Sequence, residues 1–482
     1  MAVFKNYIFN FLLLTSQLLF PLIVMPYTNR ILGPKTVGIF NLVDNFAQYF
    51  ITIAALGISV YGVREISKAK FVSKQNLNET FSELISINSI LTVFVLIVYF
   101  FFVFLNPTVK ANQTYYLIGS IQVLVGVFSL EWFFQGTENF KFIAVRTLIV
   151  KIISIVAVFL FVKNASDGLI YYFITVLTFV LTSILNIIFI NKTIEYRLPS
   201  IKNLKKHLSP LLTFFTTKFM ISIYVTMTTI LLGFLSTEQG VGYFSLAFRV
   251  FNIVVILVSS LTTVVLSKTA IMVTEDRKAF QDLISKIVIF NIFMGLPAAI
   301  LVNLYAKEFI YVLGGKSFEP AVFSLKFFSV LIFVIPFSNL FALNILTPLR
   351  KENDFLKATI IGTIISLILN FSLIPSKGYL GATYAFLTTE IIVSLSLFYF
   401  AYRRQKFNLH LSFLFKTLVA SSFFIPIYYF LPDINTLQRL LLGMFISGVF
   451  YLLFQIFIIK DSIIIYYIKP FLKIKLNQNE KK

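Results

Sequence analysis

Apolar residues run along this chain in blocks of about twenty, separated by short polar stretches, and the pattern persists from one end to the other. A hydrocarbon core about 30 Å thick takes roughly 20 residues of α-helix, so each block has the length of one membrane crossing. The blocks fall near 7–26, 37–62, 82–105, 114–136, 143–162 and 168–190, then near 209–235, 240–266, 286–305, 320–346, 356–374 and 380–402, and finally near 412–431 and 437–459. Fourteen such blocks predict an all-α polytopic membrane protein. The blocks are continuous, whereas a membrane β-barrel needs strands that alternate apolar and polar residues.

Two stretches recur. Val37-Gly38-Ile39-Phe40-Asn41-Leu42, opening the second span, returns 204 residues later as Val241-Gly242-Tyr243-Phe244-Ser245-Leu246, opening the eighth. Gly168-Leu169-Ile170-Tyr171-Tyr172-Phe173-Ile174-Thr175, at the sixth span, returns 213 residues later as Gly381-Ala382-Thr383-Tyr384-Ala385-Phe386-Leu387-Thr388, at the twelfth. Similar offsets at equivalent places predict two six-helix lobes in parallel repeat, residues 1–205 and 206–408, related about an axis along the membrane normal. A helix pair at 409–460 and a basic cytoplasmic tail at 461–482 complete the expected organisation. Parallel lobes leave a central cavity, the arrangement used for alternating access. Pro297, Pro336 and Pro426 fall inside spans, where they permit either bending or a packed static kink.

Composition agrees with a membrane protein: 58% of the 482 residues are hydrophobic and the mean hydropathy is +0.89. The net charge of +21 would suggest nucleic acid in a soluble protein, but here most of it is topology. Of 41 Lys and Arg, 30 fall on the side that holds the N-terminus, 8 on the other, and 3 inside spans. By the positive-inside rule both termini are cytoplasmic. Lys5 precedes the first block, but no small-residue cleavage site follows it, so the block reads as a helix rather than a signal peptide. Without cysteine there is no disulfide framework and no thiolate ligand, and the two histidines, His207 and His410, are expected in polar loops. No metal-ligand spacing, phosphate loop or catalytic loop is found, so no metal, no cofactor and no enzyme activity are expected. The longest loop, about 191–208, is too short to fold as a domain.

The first span ends PYTNRILGP, the second begins VGIFN and ends LGISVYGVREISK, and Glu131-Trp132-Phe133-Phe134-Gln135-Gly136-Thr137-Glu138 closes the fourth. Together these resemble the polysaccharide-repeat-unit flippases of the multidrug/oligosaccharidyl-lipid/polysaccharide exporter superfamily. The resemblance covers essentially the whole chain, with its sharp motifs in the first 150 residues. It implies a multi-pass protein of the bacterial inner membrane that moves an undecaprenyl-diphosphate-linked oligosaccharide to the outer leaflet for O-antigen, capsule or exopolysaccharide. It also implies membrane lipids and a polysaccharide polymerase as partners, and no nucleic acid. Lipid II flippases are more distant, because they carry arginines in the first helix and this chain has none between Lys5 and Arg30.

Six charges fall inside spans: Asp44, Glu131, Lys218, Arg249, Lys326 and Glu390. Each costs at least about 2.5–3.5 kcal/mol facing lipid at the bilayer centre, so each should face protein or a wet cavity. Lys218, Arg249 and Lys326 give the second lobe a cationic inner wall, complementary to a diphosphate that Arg binds as a fork and Lys as a point charge. Arg30 and Arg64, at the borders of the first two spans, are candidates for the same headgroup or else interfacial anchors. Asp44, Glu131 and Glu390 are candidates for proton coupling or helix pairing. Structural alternatives stand beside these roles: Lys326 snorkelling to the interface, an Asp44–Arg249 pair between lobes, and Glu131 paired with Lys141 or Arg146. Lys218 and Glu390 are the deepest of the six. The rival functions are a cation-coupled multidrug exporter, a lipid II flippase, and a multispanning glycosyltransferase or polymerase. A drug exporter needs an acidic or aromatic cavity for cationic drugs, which three intramembrane cations oppose.

Overall fold

The computed structural model describes residues 2–459, with side-chain surroundings from residue 20 onward; the expected basic tail at 461–482 lies outside the described residues. In chain order the helices are α1 (Ala2–Ala55), α2 (Ile58–Val72), α3 (Lys74–Leu105), α4 (Gln113–Val125), α5 (Glu131–Gly136), α6 (Phe140–Phe161), α7 (Gly168–Asn191), α8 (Ile201–Leu235) and α9 (Glu238–Val258). There follow α10 (Ser260–Val264), α11 (Leu266–Glu275), α12 (Arg277–Leu304), α13 (Ala306–Leu313), α14 (Ala321–Asn339), α15 (Glu352–Arg404), α16 (Leu411–Ser422), α17 (Phe424–Phe430) and α18 (Thr436–Phe454). No strand occurs among the described residues.

Among those residues, eleven helices are long and apolar enough to cross a membrane, or twelve if the bent pair α1 and α2 makes one span. The count differs from fourteen for a local reason. α1 runs through Gly33 (φ 71°, ψ 169°) and α15 through Gly378 (φ 57°, ψ −132°), so each long helix joins two of the expected blocks across a non-helical residue. Only glycine adopts these angles without strain.

α3 shows how side-chain chemistry sets orientation. Ser73, extended at φ −167°, caps it by accepting the Asn76 N–H, and Asn106-Pro107 ends it. Its exposed face is Ile90, Phe94, Ile97 and Phe101, while Glu83, Asn88 and Thr92 are buried. An apolar exterior over a polar interior is stable in lipid, where packing and interhelical hydrogen bonds replace hydrophobic burial.

Contacts divide the described residues into two compact units: residues up to 247 with 313–324 and 359–389, and residues 248–312 with 325–358 and those from 390 onward. In the first, the expected fourth span is broken. α4 gives way to a 3₁₀ turn at Gly126–Phe128, and Leu130 (φ 45°) starts α5. The carbonyls freed by the break are taken by α7: Ser183 Oγ donates to Val125 O at 3.0 Å, and Asn186 Nδ2 donates to Phe128 O at 2.7 Å and Ser129 O at 2.8 Å. Irregular backbone at membrane depth survives only when its polar groups are served in this way. A second feature of this unit is a close helix crossing. A Cβ added at Gly38 would lie 1.6 Å from the Glu238 carbonyl oxygen, and one at Gly242 would lie 2.1 Å from the Pro34 carbonyl oxygen. The two glycines are equivalent positions of the sequence repeat, and each accepts the backbone that precedes the other.

The second unit packs Phe280, Ile284, Ile287 and Ile292 of α12 against Leu340, Phe341 and Ile345 and against Leu397 of α15. Where α14 passes into a π-helix at Leu340–Leu346, the Pro336 carbonyl accepts from Asn291 Nδ2 at 3.1 Å. Pro336 therefore marks a packed, hydrogen-bonded irregularity. Arg404 binds buried Asp354 at 2.8 Å, and Arg439 lies 3.6 Å from buried Glu308 and over the Tyr428 ring.

Candidate functional site

The candidate site is the seam between α2 and α8 in the first unit. Its origin is local. Gly57 (φ 81°) bends the chain between α1 and α2, and a Cβ there would press on Phe215 N at 2.9 Å and Leu211 O at 3.0 Å, so α2 lies directly on α8. α8 begins earlier than hydropathy suggests, because the Ser200 side chain accepts the Asn203 N–H. His207 is therefore not in a loop, as the sequence reading had it, but buried in a helix at 4% exposure. His410 does sit outside a helix, at the cap preceding α16, and meets Ser285.

Lys218 is exposed on α8, and its Nζ donates to Ser59 Oγ of α2 at 2.7 Å. Among the described residues it meets no carboxylate. One turn earlier on the same face, Phe214 packs under the Arg64 guanidinium at 5.5 Å, which also covers the Tyr61 ring at 5.1 Å. Arg64 Nε donates to Glu65 at 2.8 Å, and its side chain remains 49% exposed. Ser59 and Arg64 are separated by about 7.5 Å of helix rise. The seam thus carries a point cation and a guanidinium fork on one helix pair, a pairing suited to a multiply charged phosphate ligand. A cavity of about 50 Å³ lies against it, lined by Ser59, Asn88, Thr92, Ser129 and Trp132 among others. Glu65, midway along α2, accepts from both Arg64 and Lys68, the latter at 3.2 Å.

The other candidates are placed separately. Arg30 is exposed in α1, donates to Pro26 O at 3.3 Å, and its Cγ lies beside Gly315. Asp44 is half-buried and accepts from Gln122 Nε2 at 3.2 Å. Glu131 opens α5 and lies 3.4 Å from Arg146, which is buried, bonded to Asn186 and covered by the rings of Phe134 and Phe142. Arg249 and Lys326 are exposed in the second unit, and Asn303 Nδ2 bonds the Lys326 carbonyl at 3.0 Å. Glu390 is buried at 7% exposure. Of the five candidate cations, the structure brings Arg64 and Lys218 onto one helix pair. The 30 cations counted on the N-terminal side include Lys151, which lies instead eleven residues into α6, with its ammonium over the Phe20 ring at 5.0 Å. Its position within an apolar block was the signal for an intramembrane cation.

Comparison with known proteins gives this geometry a context. The family described as "Polysaccharide biosynthesis protein" matches residues 3–267. A protein named "Putative O-antigen transporter" from Escherichia coli (strain K12) is 27% identical over 395 residues, 81% of this chain and 94% of its own. The "Capsular polysaccharide biosynthesis protein CapF" of Staphylococcus aureus is 24% identical over 418 residues, 83% of this chain and 99% of its own. Among solved structures, "Lipid II flippase MurJ, inward closed conformation" matches with a TM-score of 0.70 at 18% identity, covering 89% of this chain and 98% of that one. An inward-facing multidrug resistance MATE family transporter of the MOP superfamily matches with a TM-score of 0.61 at 14% identity, covering 80% and 97%. At these identities the structural likeness establishes the fold. The chain belongs to the polysaccharide biosynthesis protein family and has the fold of a multi-pass membrane protein.

Proposed function

We propose that this protein moves an undecaprenyl-diphosphate-linked oligosaccharide repeat unit from the cytoplasmic to the outer leaflet of the bacterial inner membrane by alternating access. The observation that carries the reading is the α2–α8 seam, where Lys218 and Arg64 present unlike cations on neighbouring helices and Lys218 meets, among the described residues, a neutral hydroxyl, Ser59, and no carboxylate. An intramembrane cation without a carboxylate is a functional site by default, and a diphosphate is the partner that answers it. Arg249, Lys326 and Arg30 are proposed as further headgroup contacts. Asp44, Glu131 and Glu390 are proposed for proton coupling or helix pairing. Fourteen spans, lobes at 1–205 and 206–408, cytoplasmic termini and a polymerase partner belong to the same proposal, and the glycine breaks at Gly33 and Gly378 support the higher span count.

Deleting the protein should leave lipid-diphosphate-linked repeat units on the cytoplasmic leaflet and no surface polymer. Lys218→Ala and Arg64→Ala should reach normal protein levels and reproduce that accumulation. Normal surface polymer in the deletion strain, with heightened sensitivity to cationic dyes, would instead favour a drug exporter.

A further inference from the structure

Below the seam lies a chain of buried polar groups to which no role has yet been given. Tyr61 of α2, Glu83 of α3 and His207 of α8 are 4%, 2% and 4% exposed. The Tyr61 hydroxyl is 2.7 Å from His207 Nδ1, and His207 Nε2 is 2.8 Å from Glu83 Oε2. Lys206, the next residue back on α8, binds the same carboxylate at 2.9 Å. A carboxylate can only accept, so it takes the Nε2–H of the imidazole and leaves Nδ1 to accept from the tyrosine. The direction of every hydrogen bond is then set: Tyr61 to His207 to Glu83.

This order has a mechanical result. It fixes the Tyr61 ring in one orientation, and that ring, with Phe214, is the surface on which the Arg64 guanidinium rests. It also ties the first turns of α8 to α2 and α3, and so sets the register that brings Lys218 to Ser59. Burial argues that the chain acts on a neighbour and not on a ligand, since none of its three members is open to one. The single tryptophan of the protein reports on the same place: Trp132 lies flat on α2, where a Cβ at Gly62 would be 2.8 Å from its ring, and it stacks on Phe81.

We infer that Tyr61, His207 and Glu83 form a positioning relay that holds Arg64 for the diphosphate headgroup. The relay rests on the proposed headgroup role of Arg64 and Lys218. The test uses the purified full-length protein in detergent, titrated with undecaprenyl diphosphate and followed by Trp132 fluorescence. Arg64→Ala and His207→Ala should each weaken binding about tenfold, and together no more than Arg64→Ala alone, because both remove one function. His207→Gln, whose amide both donates and accepts, should stay within about threefold of the parent protein. If His207→Ala does not fold, Tyr61→Phe serves in its place; it removes one oxygen and should also be non-additive with Arg64→Ala. Additive losses, binding by His207→Ala or Tyr61→Phe at the parental affinity, or His207→Gln as weak as His207→Ala would overturn the relay and leave the headgroup reading standing. Parental binding by both Arg64→Ala and Lys218→Ala would overturn the headgroup reading, and the relay with it.

Discussion

Replacing Gly38 with alanine tests whether the close crossing near Gly38 and Gly242 is a seal. The added Cβ would sit 1.6 Å from the Glu238 carbonyl oxygen, and that oxygen belongs to backbone at the start of α9, not to a side chain that can rotate away. Ordinary contact needs more than 3 Å, so the two segments must separate by well over 1 Å or the crossing must open. Overpacking of a tight interface costs about 1–3 kcal/mol, which corresponds to about a 5- to 140-fold shift from the crossed to the separated arrangement. In the proposed orientation this end of the helices lies outside, so the shift should expose the interior to external reagents. The chain contains no cysteine, and a single one can be introduced at Asn45, half-buried and two turns below the crossing. In cells treated with a membrane-impermeant maleimide, Asn45→Cys should label at least about fivefold faster in the Gly38→Ala background, with a cysteine at Lys110 as the reference for an exposed loop. Unchanged labelling at a normal protein level would refute the argument, because it would mean that the crossing yields without opening.

Four other outcomes are expected. Asn186→Ala should lower the thermal stability of the protein in detergent, by about 1–3 kcal/mol for each buried carbonyl left without a donor; stability at the parental level would refute the role of Asn186 in closing the break. Lys151→Ala should keep normal protein levels and lose surface polymer if the cation serves the substrate, whereas normal polymer would leave the Phe20 contact as a packing feature. Glu390→Gln should be produced normally and fail to export under an imposed proton gradient; export at the parental rate would exclude Glu390 as the coupling group. Reporter fusions after Asn191 and Arg404 should read cytoplasmic and fusions at Lys110 and Lys316 external, and any reversal would overturn the orientation.

Much of the architecture was legible because hydrocarbon imposes one length on every crossing. The span blocks, their mostly apolar exteriors and the repeat at Gly38 and Gly242 follow from sequence, and the repeat acquires a physical meaning in the two reciprocal backbone contacts. The site was less legible. His207 was assigned to a loop because Lys202, Lys205 and Lys206 lower the local hydropathy, yet Ser200 caps a helix there. Leu204, His207 and Leu211 share its inner face, a spacing of three and four residues that averaged hydropathy does not see. Lys218 was expected on the wall of a second lobe; the structure gives it Ser59 of α2 as partner, a long-range pairing that no local pattern encodes. The break at residues 126–130 was also hidden, because the partners that make it tolerable come from α7.

That last dependence has a consequence for how the chain is made. Asn186 is 58 residues downstream of the Phe128 carbonyl that it serves. At about 5–20 residues per second, synthesis takes on the order of 3–12 s to deliver it. Until then the α4–α5 segment carries naked carbonyls that lipid cannot solvate, so it has no stable place in the bilayer by itself. It must wait at the insertion machinery, or near water, until α7 arrives. A chain that stops at residue 165, before α7 begins, is therefore expected to be cleared by quality-control proteolysis faster than one that runs on through Asn191.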